Sequence, residues 1–213
     1  MCGICGIVHR DPRRPVALDR LTRMRDVMTH RGPDDAGSWI GRGVGLAHRR
    51  LSIIDLSTAG RQPLPNEDGT VQVVFNGEIY NYQSLRDDLL SKGHRFRTRT
   101  DSEVLVHLYE EYGVDMVDRL RGMFAFGLWD EARRRLVLVR DRLGIKPLYL
   151  AALPDGGLAF ASEIKGLVAG DVVSPRLNTL ALCEYLGNRY TTGDKTLYAG
   201  VTRLPPGHVG VWE

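Results

Sequence analysis

Short apolar runs, most of them bounded by Gly, Pro, Asn or Asp, punctuate the chain over its first 165 residues or so. Residues 3–8, 44–48, 71–76, 123–130, 135–139, 148–152 and 158–162 have the length and β-branched or aromatic content of strands. Asp130-Glu131-Ala132-Arg133 separates two of these runs as a hairpin turn would. Pro154-Asp155-Gly156-Gly157 does so more strongly, because Pro presets one dihedral and Gly accepts positive φ. Helical spacing is rarer. Leu18, Leu21, Met24, Val27 and Met28 fall on one face of a first helix, and Leu85, Leu89 and Leu90 mark a second that Gly93 stops. Thr100-Asp101-Ser102-Glu103 has capping-box spacing ahead of Val104, Leu105, Leu108 and Tyr112, with Gly113 as terminator. Hairpin-spaced strands with few helices predict antiparallel sheets with helices on their faces, an α+β layered sandwich.

The pattern changes near residue 170. Leu177, Leu180 and the run 182–186 predict one more helix, and 196–212 reads as loop and strand around Pro205-Pro206-Gly207. The ending Val211-Trp212-Glu213 carries no polar tail and is expected to link into something further on. The chain is therefore divided into 1–170 and an extension, 171–213.

With 213 residues and 43% apolar content, one core can form without a metal or disulfide to hold it. Twenty-nine basic and 26 acidic residues give a net charge of +3, and the arginines alternate with acids. That spread argues against a nucleic-acid surface. Three cysteines do not make a disulfide framework. The N-terminal apolar run meets His9, Arg10 and Asp11 at once, unlike a signal peptide, and no stretch approaches the ~18 apolar residues of a membrane span. A cytoplasmic location is expected.

Cys2 directly follows Met1, and Cys is small enough there for the methionine to be removed. The freed α-amine, with a pKa near ~8, would be a base on the same residue as the thiol nucleophile. Gly3 and Gly6 would let a substrate approach the backbone. Two other readings of Cys2-Gly3-Ile4-Cys5 stand beside this one: a redox or zinc half-site, and ordinary packing cysteines. A redox pair belongs at a helix start, whereas this one runs into a predicted strand. Cys183 is distant and alone, so Cys5 and Cys183 are expected to be packing residues.

The opening Met1-Cys2-Gly3-Ile4-Cys5-Gly6-Ile7 resembles that of class II glutamine amidotransferases. Further segments follow in order: His30-Arg31-Gly32-Pro33-Asp34, Ala47-His48-Arg49-Arg50-Leu51-Ser52-Ile53-Ile54-Asp55, Gln62-Pro63-Leu64, Asn76-Gly77-Glu78-Ile79-Tyr80-Asn81, Thr100-Asp101-Ser102-Glu103, Leu120-Arg121-Gly122-Met123-Phe124, Arg140-Asp141-Arg142-Leu143-Gly144 and Ala161-Ser162-Glu163-Ile164-Lys165. They are similar to the glutaminase half of asparagine synthetase. The resemblance implies the N-terminal-nucleophile hydrolase fold, a four-layer αββα sandwich with two antiparallel sheets.

It also implies site roles. Cys2 would attack the glutamine amide, and the Asn76 side chain with the Gly77 N–H would hold the oxyanion. Arg50 would grip the α-carboxylate, Asp101 and Glu78 would face the α-ammonium, and Ile53 and Ile54 would offer backbone groups. Each has a blander alternative: a surface charge for Arg50, a helix cap for Asp101, and a hairpin turn for Asn76-Gly77. The implied partners are glutamine and a synthetase domain, in the same longer chain or in a separate subunit, and a homodimer is one assembly such a chain could form. No nucleic acid or membrane is expected. No metal or cofactor is expected for this domain. ATP and Mg2+ would belong to the synthetase part, because no Ser-Gly-Gly-x-Asp-Ser loop occurs here. A stand-alone glutaminase and a non-catalytic regulatory domain are the competing functions.

Overall fold

The computed structural model describes residues 1–213. Strand β1 (Gly3–Val8) is buried at every position, as a central strand covered on both faces must be. The elements after it are α1 (Leu18–Asp26), β2 (Asp35–Gly41), β3 (Val44–Arg50), β4 (Leu64–Pro65), β5 (Val71–Ile79), α2 (Tyr82–Ser91) and α3 (Val104–Tyr112). Then come β6 (Gly122–Asp130), β7 (Arg135–Arg140), β8 (Tyr149–Ala152), β9 (Leu158–Ala161), α4 (Ile164–Ala169), α5 (Thr179–Asn188), β10 (Thr202–Arg203) and β11 (Val209–Trp212). One sheet runs β10-β8-β9-β1-β3-β2 and the other β11-β7-β6-β5-β4, with every pairing antiparallel.

Three apolar clusters define the layers. Ile4, Val8, Leu46, Val74, Trp129 and Phe160 belong to the core between the two sheets. Cys5, Ile7, Leu21, Met24 and Leu167 seal α1 and α4 onto the first sheet. Val73, Phe75, Leu89, Leu105 and Leu108 seal α2 and α3 onto the second. The alternation along β1, with Ile4 and Val8 inward and Cys5 and Ile7 toward the helices, is the period-2 geometry of a strand. This is the αββα sandwich with two antiparallel sheets that the resemblance implied. No helix is long and apolar enough to cross a membrane.

Several local expectations change. Asn76 and Gly77 do not end a strand, because β5 continues to Ile79 and pairs with β6 throughout; a hairpin turn at Asn76-Gly77 is thereby ruled out. The capping box is not formed. Helix α3 starts at Val104, and the Glu103 carboxylate instead accepts the Arg97 and Thr98 N–H groups at 2.6 and 2.7 Å. Gly6 makes room for the core rather than for a substrate: a Cβ there would lie 2.5 Å from the Phe160 ring. Gly3 likewise faces Met28. Leu18 and Val27 turn to solvent, leaving Leu21, Met24 and Met28 as the buried face of the first helix.

Candidate active site

The predicted site residues come from four separate stretches between Cys2 and Asp101, and the fold brings them together. β1 starts just after Cys2, and β3, its antiparallel neighbour, ends at Arg50. The strand next to the sheet-to-sheet core, β5, supplies Asn76, Gly77 and Glu78, while the turn before α3 supplies Asp101. Cys2, Arg50, Ile53, Ile54, Asn76, Gly77, Glu78 and Asp101 all line one pocket of about 220 Å³.

Cys2 is half-buried at the pocket wall. Its Sγ lies 3.4 Å from the Leu51 N–H, which donates to it, and 3.8 Å from the Leu51 carbonyl. Burial pushes the thiol pKa up, while the Leu51 N–H, the charged chain start and Arg50 pull it down. Met1 precedes Cys2 and also lines the pocket, so the Cys2 nitrogen is here a peptide amide rather than an amine.

Asn76 is fully buried, and neither its side-chain oxygen nor its nitrogen has a hydrogen-bond partner. A buried amide left unpaired costs roughly 1–3 kcal/mol, and such groups in a folded protein point to a role beyond packing. Gly77 beside it is required by the strand: a Cβ would sit 2.2 Å from the Met123 carbonyl oxygen of β6.

Arg50 is buried, and its guanidinium donates to the main-chain carbonyls of Ser57, at 2.6 Å, and Asp55. These bonds fix the plane of the fork while leaving its charge without a side-chain carboxylate. The surface-charge alternative for Arg50 therefore fails. Asp101 is also buried and accepts the Ile79 N–H at 2.9 Å, so it caps no helix. Burial, with Glu78 nearby, raises its pKa to about 6, although the Ile79 bond opposes this. Charged groups of both signs thus line one pocket, Arg50 together with Asp101 and Glu78. Ile53 and Ile54 are exposed in the loop after β3, and Glu78 is exposed as well.

The cysteine alternatives separate cleanly. Cys5 is the packing residue expected, in the core on the helix side of β1 where burial pushes its thiol far up, whereas Cys183, also expected to pack, is exposed on α5 outside the pocket. The pocket lining contains no histidine and one cysteine, which is a poor set for a transition metal.

Residue pattern alone did not single out some participants. Arg31 donates to the Cys2 carbonyl at 2.8 Å and to Glu163 at 2.9 Å, tying the chain start to the loop after β9. Lys146, buried at the pocket, has its Nζ 3.4 Å from the Met1 sulfur. Asp141 fixes the turn that presents it, accepting the Ile145 and Lys146 N–H groups at 3.0 Å each. Arg31 and Asp141 stood within recognised motifs, but their partners lie 29 to 132 positions away or in a turn without periodicity.

A family model described as "Glutamine amidotransferase domain" matches residues 1–213. The chain is 48% identical over 169 residues to asparagine synthetase [glutamine-hydrolyzing] 2 of Bacillus subtilis (strain 168), covering 78% of this chain and 22% of that protein. It is 40% identical over 211 residues to asparagine synthetase [glutamine-hydrolyzing] 1 of the same organism, covering 97% and 33%. Among solved structures, glutamine phosphoribosylpyrophosphate amidotransferase from B. subtilis superposes with a TM-score of 0.64 at 21% identity, over 80% of this chain and 44% of that one. The chain spans a third or less of the length of these two synthetases.

Proposed function

The chain belongs to the glutamine amidotransferase domain family, and from that premise we propose that it hydrolyses glutamine to glutamate and ammonia through a γ-glutamyl thioester on Cys2. The observation that carries this reading is the unpaired, fully buried Asn76 amide, in one pocket with the Cys2 thiol, the Arg50 guanidinium and the Asp101 carboxylate.

Glutamine carries an α-carboxylate, an α-ammonium and the amide to be cleaved. Arg50 binds the carboxylate with charge-assisted hydrogen bonds, and Asp101 and Glu78 receive the ammonium. Loss of Met1 frees the Cys2 amine, which takes the thiol proton as the sulfur attacks the amide carbon. The carbonyl oxygen becomes an oxyanion, and the Asn76 Nδ2–H and Gly77 N–H stabilise it. Collapse breaks the C–N bond, and the amine returns its proton to the departing nitrogen, giving ammonia and the thioester. Water, activated by the same amine, then releases glutamate and restores the thiol.

The ammonia serves a synthetase-type domain that amidates aspartate with ATP and Mg2+. The resemblance to glutamine-hydrolysing asparagine synthetases supports this part. Residues 171–213, first divided off as an extension, instead supply β10 and β11 to the two sheets. Glutamine-dependent ammonia release tests the reading. Cys2→Ala should abolish it in a folded protein, while Cys5→Ala should keep substantial activity. Equal loss in both variants would return the C-x-x-C to consideration.

A further inference from the structure

Away from the pocket, a second group of side chains converges on one point. Glu67 comes from the turn between β4 and β5, and His94 from the segment after α2. His107 and Glu110 stand three residues apart on one side of α3. The four ligand atoms lie within 4.8 Å of one another. His107 Nδ1 lies 3.1 Å from Glu67 Oε2 and 3.4 Å from Glu110 Oε2. His94 Nδ1 lies 3.3 Å from Glu67 Oε1 and 3.7 Å from Glu110 Oε2. A tetrahedral zinc ion with bonds of ~2.0–2.1 Å to nitrogen and oxygen needs ligand atoms about 3.3 Å apart.

The surroundings fix these atoms. Asn66 donates to the other Glu110 oxygen at 2.8 Å, which leaves Oε2 for the centre. The Arg95 N–H holds Glu67 at 3.1 Å. Both imidazoles present Nδ1 inward, and their Nε2 atoms face outer carboxylates. His94 Nε2 is 3.2 Å from Glu111, and the buried, otherwise unpartnered His107 Nε2 is 3.9 Å from Glu103. An imidazole bound on one nitrogen with a carboxylate behind the other is the usual outer arrangement of a metal-bound histidine.

We propose that Glu67, His94, His107 and Glu110 form a structural zinc site that fastens the β4–β5 turn and the 93–100 segment to α3. Two neutral imidazoles and two carboxylates compensate the charge of one Zn2+, and imidazole ligands disfavour Mg2+ and Ca2+. Bound protons shared between the same imidazoles and carboxylates are the competing way to hold this cluster together. The site is independent of the chemistry assigned to Cys2.

The test uses the untagged full chain with Cys2→Ser and Cys183→Ser, which removes accessible thiols as competing ligands. Metal is stripped with a chelator, and Zn2+ is titrated against a chromophoric chelator while the melting temperature is followed. One equivalent should bind with roughly micromolar affinity or better and raise the melting temperature, and Mg2+ should do neither. His94→Ala should weaken zinc binding by more than about a hundredfold and cancel the thermal shift. Glu111→Gln keeps all four ligands and should weaken binding by about tenfold; it decides the matter if His94→Ala does not fold. No saturable binding, or equal binding in both variants, would overturn the zinc site and leave the proton-shared cluster.

Discussion

At the scale of single residues, the pocket assigns separable tasks. An oxyanion donor acts mainly in the transition state, so Asn76→Ala should lower kcat by about a hundred- to thousandfold, some 2.7–4 kcal/mol, with a smaller change in KM. Arg50 holds a carboxylate in ground and transition states alike, so Arg50→Lys should chiefly raise KM by tenfold or more. Steady-state kinetics separates the two. A rise in KM alone for Asn76→Ala would remove it from the oxyanion hole. Asp101 adds a pH signature. With its pKa raised to about 6 by burial, it loses the charge that attracts the substrate ammonium as pH falls through that value. The quotient kcat/KM, which reports the free enzyme, should therefore drop on the acid side near pH 6.

The same shift has a cost for folding. A carboxyl whose folded pKa exceeds its unfolded value of ~3.9 binds its proton more tightly in the fold, so its contribution to stability declines as pH rises through that window. Asp101→Asn keeps an oxygen for the Ile79 N–H and should stabilise the protein by about 1–3 kcal/mol at neutral pH while impairing glutamine use. Urea titration checks it. Unchanged stability would mean that the charge of Asp101 is well solvated.

Element-scale features were legible where burial imposes a period. The strands of the two sheet centres and the helices α2 and α3 were evident in the sequence, because an apolar stripe has only a few ways to be covered. Strand β2, Asp35–Gly41, was missed because an edge strand with one half-exposed face carries no clean alternation. The helix start at Val104 was misjudged because Glu103 is drawn backward by the Arg97 and Thr98 N–H groups, a contact that spacing cannot reveal. Gly6 was read as room for a substrate, yet Phe160 from the neighbouring strand β9 fills that space. Gly6→Ala should accordingly destabilise the fold by about 1–3 kcal/mol through overpacking, read from the denaturation midpoint. A variant of normal stability with a raised KM would restore the substrate-approach reading.

At the scale of the whole molecule, short strands from the last dozen residues extend both sheets: β10 pairs with β8, and β11 with β7. The pocket opens where β1, β3 and β5 bring the chain start beside a buried, unpaired amide. The site was legible as a set of residue types in recognisable motifs, and all eight assigned positions line that one pocket. The clamp of Arg31 on the Cys2 carbonyl and the approach of Lys146 were not legible, because each depends on distant segments meeting in three dimensions.

The role of Cys2 as a nucleophile carrying a free amine is read out by allowing the active protein to react with a glutamine-like electrophile, such as a diazoketone analogue, and mapping the adduct by peptide mass spectrometry. A single adduct on Cys2 is expected, on chains from which Met1 has been removed, with glutamine protecting against it. An adduct on Cys5 or Cys183, or full activity and labelling in chains that keep Met1, would contradict that role.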